Sequence, residues 1–154
     1  MTPLEKIVQF NELGGNVRCK RTLEDDLILT YLSLIKEEQL ELFKAWSEGD
    51  REEVLDGALD LIVVAGGLVH SLGYDITEAL NEVCEANLSK FCNTLNEAEA
   101  SVLAYEHDNR YFDVHYVEID GRYVIRGRKV DAPDGDYKIL KGVNTRKPSF
   151  KHIL

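Results

Sequence analysis

A helical core with a small β appendage is the fold this sequence predicts, and three observations predict it. Up to about residue 105 the chain reads as helical segments, cut by glycines and opened by acidic or hydroxyl residues at cap positions. Beyond that point the character changes to β-branched and aromatic residues on both sides of Asp120-Gly121, a pair suited to a two-residue hairpin turn. A length of 154 residues with 44% hydrophobic content supplies one sizeable core. Residues 1–105 are therefore expected to form a helical core, and residues 106–154 a β-hairpin with a basic tail.

Taken in order, Pro3 to Leu13 reads as a short helix stopped by Gly14-Gly15, and Leu23 to Trp46 as a long one with acids in its first turn. Ser47-Glu48-Gly49-Asp50 is a turn. Arg51 to Leu72 makes a third helix with Gly73 as its stop, and Asp75-Ile76-Thr77 opens a fourth that runs to about Leu95. Glu97-Ala98-Glu99-Ala100 extends helix to about Tyr105. FDVHYVEIDGRYVIRGR is the hairpin, and the remainder is loop-like with a short apolar stretch at Tyr137, Ile139 and Leu140. Helices joined by short turns pack as antiparallel neighbours. The third is apolar nearly all round, which needs more cover than about four helices of one chain supply, so a homodimer or homotetramer is expected.

The formal net charge of -10 opposes general attraction to nucleic acids or anionic membranes. It is unevenly spread: from Glu24 to Asp60 twelve acids stand against three bases, whereas from Gly121 to Leu154 nine bases stand against three acids. Three cysteines with no CxxC pair indicate neither a disulfide framework nor a zinc site. The N-terminus has no signal-peptide pattern, and the apolar run around Val63 reads as too short to span a bilayer. A soluble, cytoplasmic protein is the expectation.

ALDLIVVAGGL, residues 58–68, holds one aspartate among aliphatics and glycine. A carboxylate in such surroundings takes a proton, finds a local hydrogen bond or finds a cation. Asp56 lies four residues before Asp60, and on the preceding helix Glu37, Glu38 and Glu41 share adjoining parts of one face bordering the apolar arc. Two helices thus offer carboxylates to one place. Without a cation they would raise one another's pKa values. Oxygen donors without histidine or thiolate select magnesium, manganese or calcium, and magnesium commonly binds through a few carboxylates plus substrate phosphates. The plainer alternatives are a solvated EExxE stripe, an Asp56 that serves the helix dipole, and an Asp60 satisfied locally.

The succession of EExxE at 37–41, EVLDGALDLIVVAGGLVHSLGYD and EVCEANLSKF resembles the all-α nucleoside triphosphate pyrophosphohydrolases: MazG-like proteins, dimeric dUTPases and phosphoribosyl-ATP pyrophosphohydrolase. The tail is similar to the ending of phage-type members. The resemblance implies a helical bundle of the MazG-like type that hydrolyses a (deoxy)nucleoside triphosphate between its α and β phosphates, giving monophosphate and pyrophosphate. It further implies Mg²⁺, or Mn²⁺, on Glu38, Glu41 and Asp60, Glu37 as the group that orients or deprotonates water, and Asn87 and Lys90 as contacts to phosphate or sugar. Many members carry ExxD on the third helix, where this chain has Gly57, so Asp56 would take that ligand's place. Lys138, Lys141 and Lys147 either close over phosphates or balance the acidic helices; Lys141 is the candidate substrate contact among them. Phe10 and Asn11 either line a base pocket or pack the first helix. The alternative function is a catalytically silent nucleotide-binding or interaction protein on the same fold.

Overall fold

A computed structural model describes residues 1–153. Five helices, α1 (Pro3–Leu13), α2 (Asp26–Glu48), α3 (Arg51–Ser71), α4 (Ile76–Leu88) and α5 (Leu95–Ala104), precede three strands, β1 (Tyr111–Ile119), β2 (Arg122–Lys129) and β3 (Lys138–Leu140). Local chemistry sets the boundaries. Thr2 and Glu5 form a capping box ahead of α1, with Pro3 in its first turn. α2 begins at Asp26, later than Leu23, because the Asp25 carboxylate accepts from Leu27 N at 2.9 Å and fixes the cap there. Gly49, at φ 73°, ends α2, and the Asp50 carboxylate immediately caps α3 by accepting from the amides of Glu52 and Glu53 at 3.1 Å.

Two expectations change. The fourth helix stops at Leu88, well short of Leu95, and a separate α5 starts behind a Thr94–Glu97 capping box. Between them Cys92 exchanges backbone hydrogen bonds with Tyr123 of β2 (2.9 and 2.8 Å), which draws the segment out of helical conformation. The tail expected to be loop also supplies a strand: Leu140 pairs with Ile125 and Lys138 with Gly127, giving sheet order β1-β2-β3. The fold is therefore mostly helical with a three-stranded antiparallel sheet, in place of an all-α bundle with a two-stranded appendage. Asp120 and Gly121 turn the hairpin with φ of 51° and 75°, both positive as a type I′ turn requires.

The chain divides into two compact units, Met1–Leu80 with the end of the chain from Phe150, and Asn81–Ser149. In the first, α3 packs along α2 and α1. Glycines permit the approach: a Cβ on Gly66 would stand 2.7 Å from Ile76 Cδ1 and 3.0 Å from Ile7 Cγ2. Beside it lies a buried polar knot. Asn16 Nδ2 donates to Asn11 Oδ1 and Ser71 Oγ, both at 2.8 Å, the Tyr31 hydroxyl donates to Asn11 Oδ1, and His70 Nε2 donates to the Asn16 carbonyl at 2.9 Å. In the second unit, α5 covers the sheet through a core of Cys92, Ala98, Ile125 and Leu140. The helices from Asn81 onward thus group with the strands.

By length and composition α3 could cross a membrane; the apolar run around Val63 belongs to a 21-residue helix. Asp60 stands near its midpoint, where a carboxylate in a bilayer would cost about 2.5–3.5 kcal/mol or more.

Candidate active site

Within the first unit the antiparallel pair α2–α3 carries all five predicted acids. Its register follows from two close contacts. A Cβ on Gly57 would lie 3.3 Å from Leu42 Cα, and one on Gly67 would lie 2.8 Å from Tyr31 Cζ. Gly57 faces Leu42 at one level and Gly67 faces Tyr31 at another, three turns along. Glu38 lies between Tyr31 and Leu42 on α2, and Asp60 between Gly57 and Gly67 on α3, so the two carboxylates are bracketed by the two glycine contacts. The buried Gly57 also accounts for the missing ExxD: a longer side chain there would drive α3 off the α2 backbone, whereas Asp56 beside it is exposed.

Asp60 is half-buried, less enclosed than its apolar neighbours suggest, because Leu59 and Ile62 are themselves exposed. The electrostatics of Glu38 reflect its acidic neighbours. Partial burial, then the negative charges of Asp60, Glu41, Glu37 and Asp56, hold the Glu38 carboxyl above the ordinary glutamate range. No ion pair among the described residues includes any of the five acids. They are not a salt-bridge stripe. Nor do they form a closed cage, since among the described residues no group of three or more His, Cys, Asp or Glu is placed to hold a metal ion. The donor chemistry nonetheless fits magnesium, which keeps several waters and uses only one or two carboxylates at a time alongside phosphate.

The raised Glu38 pKa has a stability consequence with a definite sign. Relative to the charged form, protonated Glu38 stabilises the fold; that contribution is complete below the unfolded value, about 4.3, and is lost as pH rises through the folded value. Glu38→Gln is therefore expected to raise the Tm of the metal-free protein at pH 7, with a gain that shrinks toward pH 4. An unchanged or lower Tm in EDTA at pH 7 would contradict the charge cluster.

The remaining candidates are distributed over both units. Asn87 and Lys90 belong to the second unit, where the Lys90 ammonium donates to Asn87 Oδ1 at 2.8 Å. Lys90 and Lys141, distant in sequence, line one cavity of about 170 Å³ together with Lys138. Asn11 is buried in the polar knot, and Phe10 is 70% exposed, against the alternative in which it packs α1. Sequence reasoning missed Gly67, Tyr31 and Asn16, whose pairing no periodicity signals.

Residues 19–87 match the family model described as phosphoribosyl-ATP pyrophosphohydrolase, a family of the MazG-like superfamily. This stretch takes in α2, α3 and nearly all of α4, hence every acid of the cluster. Such a domain indicates a pyrophosphohydrolase that acts on a nucleotide. No curated protein and no solved structure matches the chain.

Proposed function

We propose that the protein is a magnesium-dependent nucleoside triphosphate pyrophosphohydrolase, converting a (d)NTP and water to (d)NMP and pyrophosphate. The observation that carries this reading is the level shared by Glu38 and Asp60 on the packed helices, with Glu37, Glu41 and Asp56 around them and no cation side chain pairing any of the five. Glu38, Glu41 and Asp60, with Asp56 in place of a ligand at position 57, would hold Mg²⁺, for which Mn²⁺ can substitute. A bound magnesium supplies charge stabilisation on the phosphates and a lowered water pKa. Glu37 orients the attacking water and takes its proton as oxygen attacks phosphorus; the bond between the α and β phosphates breaks and pyrophosphate departs. Asn87, Lys90 and Lys141 would contact phosphate or sugar, a lysine acting as a point charge.

The uncovered apolar side chains of the first unit support a homodimer or homotetramer. Leu29, Leu32, Leu40 and Phe43 on α2 recur at helical spacing, as do Leu55, Leu59 and Ile62 on α3, and all are exposed. A cytoplasmic location would fit such a nucleotide-metabolising role.

Incubation with Mg²⁺ and each common NTP, dNTP and phosphoribosyl-ATP, with products resolved by ion exchange, tests the reaction. Monophosphate plus pyrophosphate from a triphosphate is expected. Turnover of phosphoribosyl-ATP alone would transfer the assignment to that substrate. No turnover of any nucleotide by folded protein would favour the silent nucleotide-binding alternative.

A further inference from the structure

We infer that the Asn81–Ser149 unit carries a nucleotide-binding site of its own, at the end of the sheet where β1, β2 and β3 meet the C-terminus of α5. Two adjoining cavities, of about 390 and 170 Å³, share Arg110, Tyr111 and Lys138 as walls. Lys90, Lys138 and Lys141 line the smaller one, and Lys129 borders the larger. No ion pair among the described residues occupies any of these four lysines. In a chain with a net charge of -10, four lysines outside any ion pair around two adjoining surface cavities suit a multiply charged anion.

The larger cavity has the features of a base and sugar pocket. Asp108 grips the Arg110 guanidinium at two points, Nε to Oδ1 at 3.0 Å and Nη2 to Oδ2 at 2.8 Å, and the guanidinium lies 5.3 Å over the Tyr111 ring. Arg110 is thereby a fixed plane, and guanidinium planes stack on nucleobases. Asn109 and Asp131 on the rim offer hydrogen-bonding groups to a base edge or to ribose hydroxyls. The walls are set in advance of binding: the Tyr105 hydroxyl donates to the Lys141 carbonyl at 3.0 Å and accepts from the Lys141 amide at 3.1 Å, tying the end of β3 to α5, while the Tyr105 and Tyr111 rings meet edge to face at 5.8 Å. Phosphates in the narrow basic cavity and a base against Arg110 in the wider one describe a phosphorylated nucleoside. Lys90 and Lys141 are also substrate contacts in the catalytic proposal, whereas Arg110, Lys129 and Lys138 have no part in it, and the inference goes beyond that proposal through these three.

The test titrates ATP into the full-length Asp60→Asn protein in EDTA at low salt, by calorimetry, so that neither turnover nor a metal-held phosphate contributes. Saturable one-to-one binding is expected, weakened at least tenfold by Lys138→Ala and by Lys129→Ala. Lys36→Ala, in the first unit, should leave it unchanged. Pyrophosphate should bind more weakly than ATP, because it leaves the Arg110 plane unused. Absence of binding in EDTA, affinity indifferent to both lysine replacements, or pyrophosphate binding as tight as ATP would each overturn the inference. Both lysines are exposed, so unchanged thermal melts are expected to accompany the loss.

Discussion

Replacement of Asp60 by asparagine is expected to abolish (d)NTP turnover while leaving the fold intact. Groups that merely orient metal ligands typically cost about 10- to 100-fold when removed, so a direct ligand should cost more than roughly 100-fold in kcat/KM. The amide keeps the size of the carboxylate and removes its charge, which separates chemistry from packing. Asp60 is also the first charge acting on Glu38. Its neutralisation relieves repulsion in the metal-free state, so the melting temperature in EDTA should hold or rise while activity falls. Loss of activity together with a lower melting temperature would instead make Asp60 a structural carboxylate satisfied by its surroundings. Retained activity would remove it from the metal site altogether. Asp56→Asn serves as the companion measurement, because Asp56 stands on the exposed side of the Gly57 contact. A large loss there assigns it the position that a glutamate at 57 would otherwise hold.

How much of this was legible in the sequence depended on the range of the interactions concerned. Helix ends governed by local caps were readable, since Asp50 and Gly49 act on amides and carbonyls within a turn of themselves. The convergence of Glu37, Glu38 and Glu41 with Asp56 and Asp60 was readable as well, because helical spacing fixes a face. The break at Leu88 was not. Residues 89–94 leave the helix through backbone pairing of Cys92 with Tyr123, a partner 31 positions away with no signature in the local sequence. β3 escaped for the same reason: three residues, Lys138–Leu140, become a strand only because β2 presents Ile125 and Gly127 to them. Asp60 is more exposed than an aliphatic run enclosed on all sides would leave it. Several of those aliphatics face outward instead, toward whatever covers the α2 and α3 apolar stripes.

The two glycines that bracket the carboxylates lead to the second large expected effect. Gly67→Ala should destabilise the protein by about 2–4 kcal/mol, lowering Tm by roughly 4–16 °C at this chain length. Helix propensity alone would favour alanine by about 1 kcal/mol, so the sign of the change is diagnostic. A methyl group at position 67 would enter the Tyr31 ring, with Cζ at 2.8 Å, and would press on Asn11 Oδ1 at 3.0 Å. Tyr31 cannot swing aside freely, because its hydroxyl donates to Asn11 Oδ1 and accepts from Asn16 Nδ2 at 3.2 Å. Moving the ring therefore opens the knot and leaves buried amide groups without partners, which is dearer than the clash itself. Adding Tyr31→Ala to Gly67→Ala should recover part of the loss, a coupling that a double-mutant cycle reads as departure from additivity. Because Gly67 and Gly57 fix the helix separation on either side of Glu38 and Asp60, the single variant should also lose turnover at temperatures where it remains folded. An alanine at 67 that leaves both Tm and rate unchanged would show that the α2–α3 spacing is set elsewhere.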